Sequence, residues 1–258
     1  MKMNRTKRNI LLAGAISCVA LAGVGSTMAY FTENASKVNT FTTGDLDIGL
    51  HESEWNPDED DGKNVYPGYT VYKNPTIKNI TSAENGDEPC YARMIVEILD
   101  TEGQPVTDSD ALELIYKTIY YDPTFTGTYD KAEGTAEGLV EGKVPGYSLK
   151  ELEKYSMVNS EWSKDLLRST PEKQVYNYMG KDKDGILDIG EESTLFTNIV
   201  IPTDWNQTQF AKIGDYQLKV TAQAIQSKGF ATQTEAFRML DEEVKGGTLQ
   251  QIVRGSGE

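Results

Sequence analysis

Apolar and polar residues alternate along several stretches of this chain, and the alternation has period two. Leu46, Ile48 and Leu50 alternate with Asp45, Asp47 and Gly49, the pattern of a strand buried on one face. Pro67-Gly68 sets a turn ahead of a strand over residues 70–79. In residues 91–98, Ala92, Met94, Val96 and Ile98 share one face. Residues 195–201 and 216–225 repeat the theme. In the latter Tyr216, Leu218, Val220, Ala222 and Ala224 point one way, with Lys219, Thr221 and Gln223 opposite. Strands of this kind, separated by turns, predict a mainly β fold, a jelly-roll-like antiparallel β-sandwich.

The middle of the chain departs from that period. Leu112, Ile115, Tyr116 and Ile119 stand near helical spacing and predict a helix over residues 108–120. Ser148 followed by Glu151 is a capping box that would start another, with Leu152 and Tyr155 on it. Between them, residues 127–146 are rich in Gly, Thr and Glu and read as an exposed loop. Residues 100–175 are therefore expected to form a partly helical insertion in one β-sandwich domain spanning 30–245. Residues 234–244 fit a last amphipathic helix, and 246–258 a flexible tail. No internal repeat is evident.

The first residues read as an address. Lys2, Arg5, Lys7 and Arg8 precede an apolar run from Ile10 to Val24, and Gly25-Ser26-Thr27-Met28-Ala29 supplies small residues for cleavage between Ala29 and Tyr30. That is the order of a secretory signal peptide over residues 1–29. The competing readings are a retained membrane anchor, for which a run of roughly 15 residues falls short of the ~20 a spanning helix needs, and a lipoprotein signal at Cys18, where Ala15 stands in place of the wanted Leu or Val.

Charge narrows the partners. The chain carries 25 Lys+Arg against 40 Asp+Glu, a formal charge of −15. With no basic stripe to displace phosphate counterions, a nucleic-acid partner is not expected. After cleavage Cys90 is the one cysteine left, so no disulfide framework is available. Cys90 lies in an alternating apolar run and reads as a small buried hydrophobe. The single histidine, His51, excludes multi-histidine metal sites and most histidine catalysis.

One tract resembles a metal loop. With Gly185 at the sixth position of a twelve-residue calcium loop, Asp182, Asp184, Asp188 and Glu191 fall at positions three, five, nine and twelve, while Gly180 stands where the first oxygen ligand belongs. The competing reading is a hairpin, with residues 175–179 and 186–189 as its strands and Asp184-Gly185 as its turn. The acidic run from Glu52 to Asp61 reads as a solvated loop. No phosphate loop, HExxH pair or G-x-S-x-G elbow is present, and no catalytic constellation emerges.

The junction Met28-Ala29-Tyr30-Phe31-Thr32-Glu33, followed by Asn39-Thr40-Phe41-Thr42-Thr43-Gly44-Asp45-Leu46-Asp47-Ile48, resembles the start of the TasA/camelysin family of secreted Gram-positive proteins. Tyr66-Pro67-Gly68, Thr76-Ile77-Lys78-Asn79, residues 91–96, Leu187-Asp188-Ile189-Gly190-Glu191 and residues 216–226 resemble later family segments in the same order. The resemblance leaves 100–175 unmatched. It implies a jelly-roll subunit of biofilm-matrix or cell-surface fibres, released by a SipW-type signal peptidase. Assembly would be head to tail with further copies, alongside other matrix or surface proteins. The arm over residues 30–41, with Tyr30, Phe31, Val38 and Phe41 as apolar anchors, would then add a strand to the next subunit, the competing reading being that residues 30–50 pair within their own domain. The membrane would be touched only through the uncleaved signal peptide, and no cofactor is implied. Camelysin also implies a surface metallopeptidase, for which His51, Glu52 and Glu54 are the available residues. A monomeric adhesin or binding module is the third expectation.

Overall fold

The longest stretches of alternating residues pair with each other. In the computed structural model, which describes residues 38–39, 46, 48–52, 65–81, 88–123, 147–246 and 252–253, β5 (Cys90–Leu99) runs antiparallel to β12 (Gln217–Gln226) along ten residue pairs. Their apolar positions face one another, Ile98 opposite Leu218, Val96 opposite Val220, Met94 opposite Ala222 and Ala92 opposite Ala224. All eight are buried, and they floor the main core together with Tyr176, Tyr178, Phe196 and Trp205. Burying alternate side chains of two long strands on one face fixes the register, since a one-residue slip would expose the whole set.

On its other side β5 pairs with β8 (Lys173–Tyr178), which pairs in turn with β7 (Trp162–Lys164). The boundary at 175 thus falls inside a strand, and the end of the 100–175 stretch belongs to the main sheet. The outer face of that sheet is covered by α4 (Gln233–Gly246), whose Ala236, Phe237 and Leu240 pack on Tyr91 and Ile225.

A second ladder closes the core. Here β3 (Thr70–Tyr72) pairs with β11 (Asn198–Val200), while β4 (Thr76–Asn79) pairs with β10 (Glu192–Thr194). One register runs through both pairs, and Lys73 N–H to Thr197 and Leu195 N–H to Pro75 continue it across the gap. The single strand expected over 70–79 is broken there, because Pro75 has no N–H to give the ladder, and the one expected over 195–201 begins only at Asn198. The remaining partners are β2 (Ile48–His51) on β4 and β6 (Ile119–Tyr120) on β11. Finally β1 (Val38–Asn39) pairs with β13 (Ile252–Val253).

Short helices fill the connections. Asp108 caps α1 (Ser109–Tyr116) by accepting from the amides of Asp110 and Ala111. The helix stops four residues short of the expected Tyr120. Thr118 folds its hydroxyl back onto the Ile115 carbonyl at 2.6 Å, and Ile119-Tyr120 leave to pair with β11. The Ser148–Glu151 capping box starts α2 (Leu149–Leu152) as expected. A second box, Asn206 with Gln209, starts α3 (Gln207–Ile213), which the apolar pattern did not announce. The result is a mixed α/β fold with more strand than helix, arranged in several sheets.

Candidate functional site

Strand edges, rather than clefts, are where the expected assembly would act. Among the described residues β12 has a hydrogen-bonded neighbour on one side only, although it is ten residues long. Residues on both its faces are buried, Leu218, Val220 and Ala224 inside and Thr221 and Ile225 on the other face, Ile225 beneath α4. Among the described residues, that side of β12 therefore presents main-chain N–H and C=O groups with no strand paired to them, a template for another strand.

Of the arm residues, Val38 is described. It lies in β1, opposite Val253, with Asn39 opposite Ile252, and β1 runs close to β12 and β2. Part of the stretch expected to be a flexible tail is therefore a strand. Ala29, Tyr30, Phe31 and Phe41 lie outside the described residues, as do residues 127–146 of the expected loop and most of the acidic run after Glu52.

The calcium-like tract does not form the hairpin that was its other reading. Instead of a hairpin, β8 and β9 (Ile186–Leu187) both pair with β5 on the same side, and their registers differ by seven residues. They form one interrupted strand, and residues 179–185 are looped out of it. Gly185 N–H closes the neck onto the Met179 carbonyl at 2.9 Å. The Gln233 side chain, from the start of α4, reinforces it by donating to the carbonyls of Tyr178 and Gly185 at 2.7 and 3.3 Å.

Nor are the candidate ligands gathered. Asp184 accepts from the Ile186 amide, and Glu191 accepts from the Tyr178 hydroxyl at 2.8 Å and the Asp188 amide at 3.0 Å. Asp182 is exposed. Among the described residues no group of three or more His, Cys, Asp or Glu is placed to hold a metal ion.

The peptidase residues fare similarly. His51 is exposed at the end of β2, whereas the Glu52 carboxylate turns inward to Lys73 Nζ at 2.8 Å, with side chains 8% and 2% exposed. A glutamate held in a buried ion pair is not available as a general base. Glu54 lies outside the described residues. Cys90 is a free, fully buried thiol. Burial, with the charges of Asp188 and Glu191, pushes its pKa up to about 12, which keeps it out of nucleophilic chemistry.

Two constellations escaped the sequence reading. Arg93 projects from the outer face of β5 beneath α4, 4% exposed, and its Nη2 meets Asp241 at 2.8 Å. Arg168 joins the same carboxylate at 2.6 Å and Asp165 at 2.9 Å, so charge ties α4 to the sheet and to the turn after β7. A charged residue on an otherwise apolar strand was the available signal. The second is a cluster of tyrosines beside β6 and α2, foreshadowed by the Tyr120-Tyr121-Asp122 run.

Among the described residues no helix is long and apolar enough to cross a membrane. Comparison of the chain with protein-family models, with curated proteins and with solved structures finds no match.

Proposed function

We propose that the chain is a secreted structural subunit of extracellular fibres, in a biofilm matrix or on the cell surface. On this reading the sheets form a jelly-roll-like sandwich, and the arm over residues 30–41, freed by a SipW-type signal peptidase, adds a strand to the next copy. The observation that supports it is β12, a ten-residue strand whose faces are buried and whose outer main-chain edge has no hydrogen-bonded strand among the described residues. Strand addition at such an edge supplies main-chain hydrogen bonds along its length, with alternate side chains seated in pockets. A head-to-tail contact does not close on itself and so propagates. The resemblance of the segment around Ala29 to the TasA/camelysin start gives the same answer from a separate part of the chain.

The test compares two forms of the protein, one beginning at Tyr30 and one at Thr42, by negative-stain microscopy under identical conditions. Filaments from the first and monomers from the second are expected. Filaments from both would move the contact away from the arm, and monomers from both would overturn the fibre reading.

A further inference from the structure

The arm already has a partner in its own chain. Val38 and Asn39 of the arm form β1, and the strand laddered to β1 is β13, with Val38 opposite Val253 and Asn39 opposite Ile252. β13 comes from the far end of the sequence. Ile252 and Val253 are β-branched residues in an otherwise largely polar and glycine-rich stretch from Gly246 to Glu258, and such residues suit opposed strands. β1 also lies close to β12 and β2, each of which has a hydrogen-bonded strand on one side only among the described residues. The arm therefore rests near the edge that the fibre reading gives to the arm of another copy, and β13 is the strand bonded to it there.

What holds β13 in turn is α4, from which only residues 247–251 separate it in sequence. Ala236, Phe237 and Leu240 of α4 pack on Tyr91 and Ile225. Asp241 pairs with Arg93 at 2.8 Å and with Arg168 at 2.6 Å. The arm is thereby fastened to its own body by a chain of contacts, β1 to β13, β13 to α4, and α4 to the sheet. The first link is the weakest. Two residues opposite two exchange few main-chain hydrogen bonds, and each is worth little once its exchange with water is counted.

A strand given to a second copy must reach away from its own body, and β1 cannot do so while it is paired with β13. We infer that β13 is a latch, which holds the arm on its own chain and has to let go before the arm is donated. The inference rests on the fibre reading and names what controls that same contact. Because β13 belongs to the same chain, it competes for β1 at a fixed effective concentration, while another copy competes at its own. The latch thus sets a threshold concentration for assembly. Removing it lowers that threshold about tenfold, the factor that one or two net main-chain hydrogen bonds supply.

Paired cysteines test the latch, Asn39→Cys with Ile252→Cys, in the chain running from Tyr30 to Glu258. The exchange leaves Tyr30, Phe31, Val38 and Phe41 in place, and Cys90 is buried and stays out of the reaction. Residues directly opposite in an antiparallel pair stand about 4.5–5.5 Å apart between Cα atoms, inside the span of about 4.4–6.8 Å that a disulfide bridges. Mass spectrometry after mild oxidation of dilute monomer is expected to find the intramolecular bridge. By negative-stain microscopy and light scattering the oxidised protein should form no filaments, and dithiothreitol should restore them to the level of the parent chain. A chain ending at Gly246 should assemble at about a tenth of the parent's threshold concentration, and a peptide of residues 247–258 added to it should raise the threshold again. No bridge in the monomer overturns the latch whether or not fibres form. Filaments from the oxidised protein equal to those from the reduced one overturn the latch and leave the fibre reading standing. No filaments from either the parent or the chain ending at Gly246 overturn the fibre reading, and the latch's control of assembly with it, even where the bridge forms.

Discussion

Replacing Asp241 by alanine asks whether α4 is held to the sheet by charge as well as by packing. The carboxylate faces two guanidinium groups, Arg93 at 2.8 Å and Arg168 at 2.6 Å. Arg93 is 4% exposed, and in place of water it has Asp241, the Gln223 amide oxygen at 2.8 Å and the Phe237 ring at 5.2 Å. Removing one partner of a buried pair costs about 3–5 kcal/mol, because the other charge is left without compensation. Asp241 is itself 29% exposed, so water partly refills its place, and about 2–3 kcal/mol is the expected loss. Replacing both members, Arg93→Met with Asp241→Leu, removes the desolvated charge as well and should recover stability to within about 1 kcal/mol of the parent. Urea unfolding followed through the buried Trp162 and Trp205 reads the midpoint, and amide exchange in α4 reads local detachment. If Asp241→Ala lowers both by less than about 0.5 kcal/mol, packing alone holds the helix and the reasoning fails.

The same network sets an acid response. Burial opposes the charges on Asp241 and Asp165, but hydrogen bonds and charge from Arg168, with Arg93 at Asp241 and Asn177 at Asp165, outweigh it and hold both pKa values below the ordinary carboxylate range. Their stabilisation is therefore complete above the unfolded value near 3.9 and is lost as pH falls through the folded values. Faster exchange in α4 is expected below about pH 4 and not between pH 5 and 8. Gly185→Ala should cost about 1–3 kcal/mol by thermal melting, since φ is +77° and the new Cβ would lie 2.9 Å from Gln233 Nε2. Adding Gln233→Ala should relieve the clash but not the backbone strain. Millimolar calcium should leave the melting temperature unchanged, because Glu191 already accepts from Tyr178 and Asp188; a rise reversed by chelator would contradict this. Deleting residues 247–258 should shorten the lag before filaments form, followed by light scattering, and a longer lag would place the tail in the subunit contact instead.

What was legible in the sequence was local or strictly periodic. Ala92 to Ile98 and Leu218 to Ala224 announced their strands because both faces of one ladder repeat every second residue. The Ser148–Glu151 box is complete within four residues. The Asn206–Gln209 box was equally local, but no apolar stripe followed it to draw attention. The looped-out segment was not legible, because Gly185 has the same left-handed backbone in a hairpin turn and at the neck of an excursion. Only the pairing of both β8 and β9 with β5 tells them apart. The tyrosine cluster draws on residues from 72 to 155, so no window contains it. Of the proposed assembly surface, the strand β12 was visible as alternation, whereas its position at the end of the sheet depends on every other pairing.

The contact between β1 and β13 bears directly on how the proposed fibre would start. Two residues pair with two, and a two-stranded ribbon of that length is too small to be stable alone. Main-chain hydrogen bonds given up within one molecule are remade with the next, so the exchange is close to balanced in that respect. The balance then rests on two quantities. One is the burial of Tyr30, Phe31, Val38 and Phe41, each apolar side chain adding about 1.5–3 kcal/mol if fully covered. The other is concentration, because an intramolecular partner competes at a fixed effective concentration while a second molecule competes at its own. On the fibre reading the arm would stay with its own chain at low concentration, and growth would win only where a preformed end offers pockets for all four anchors at once. On the proposed reading, a weak intramolecular strand is what keeps a secreted, polymerising subunit monomeric until it meets a filament end.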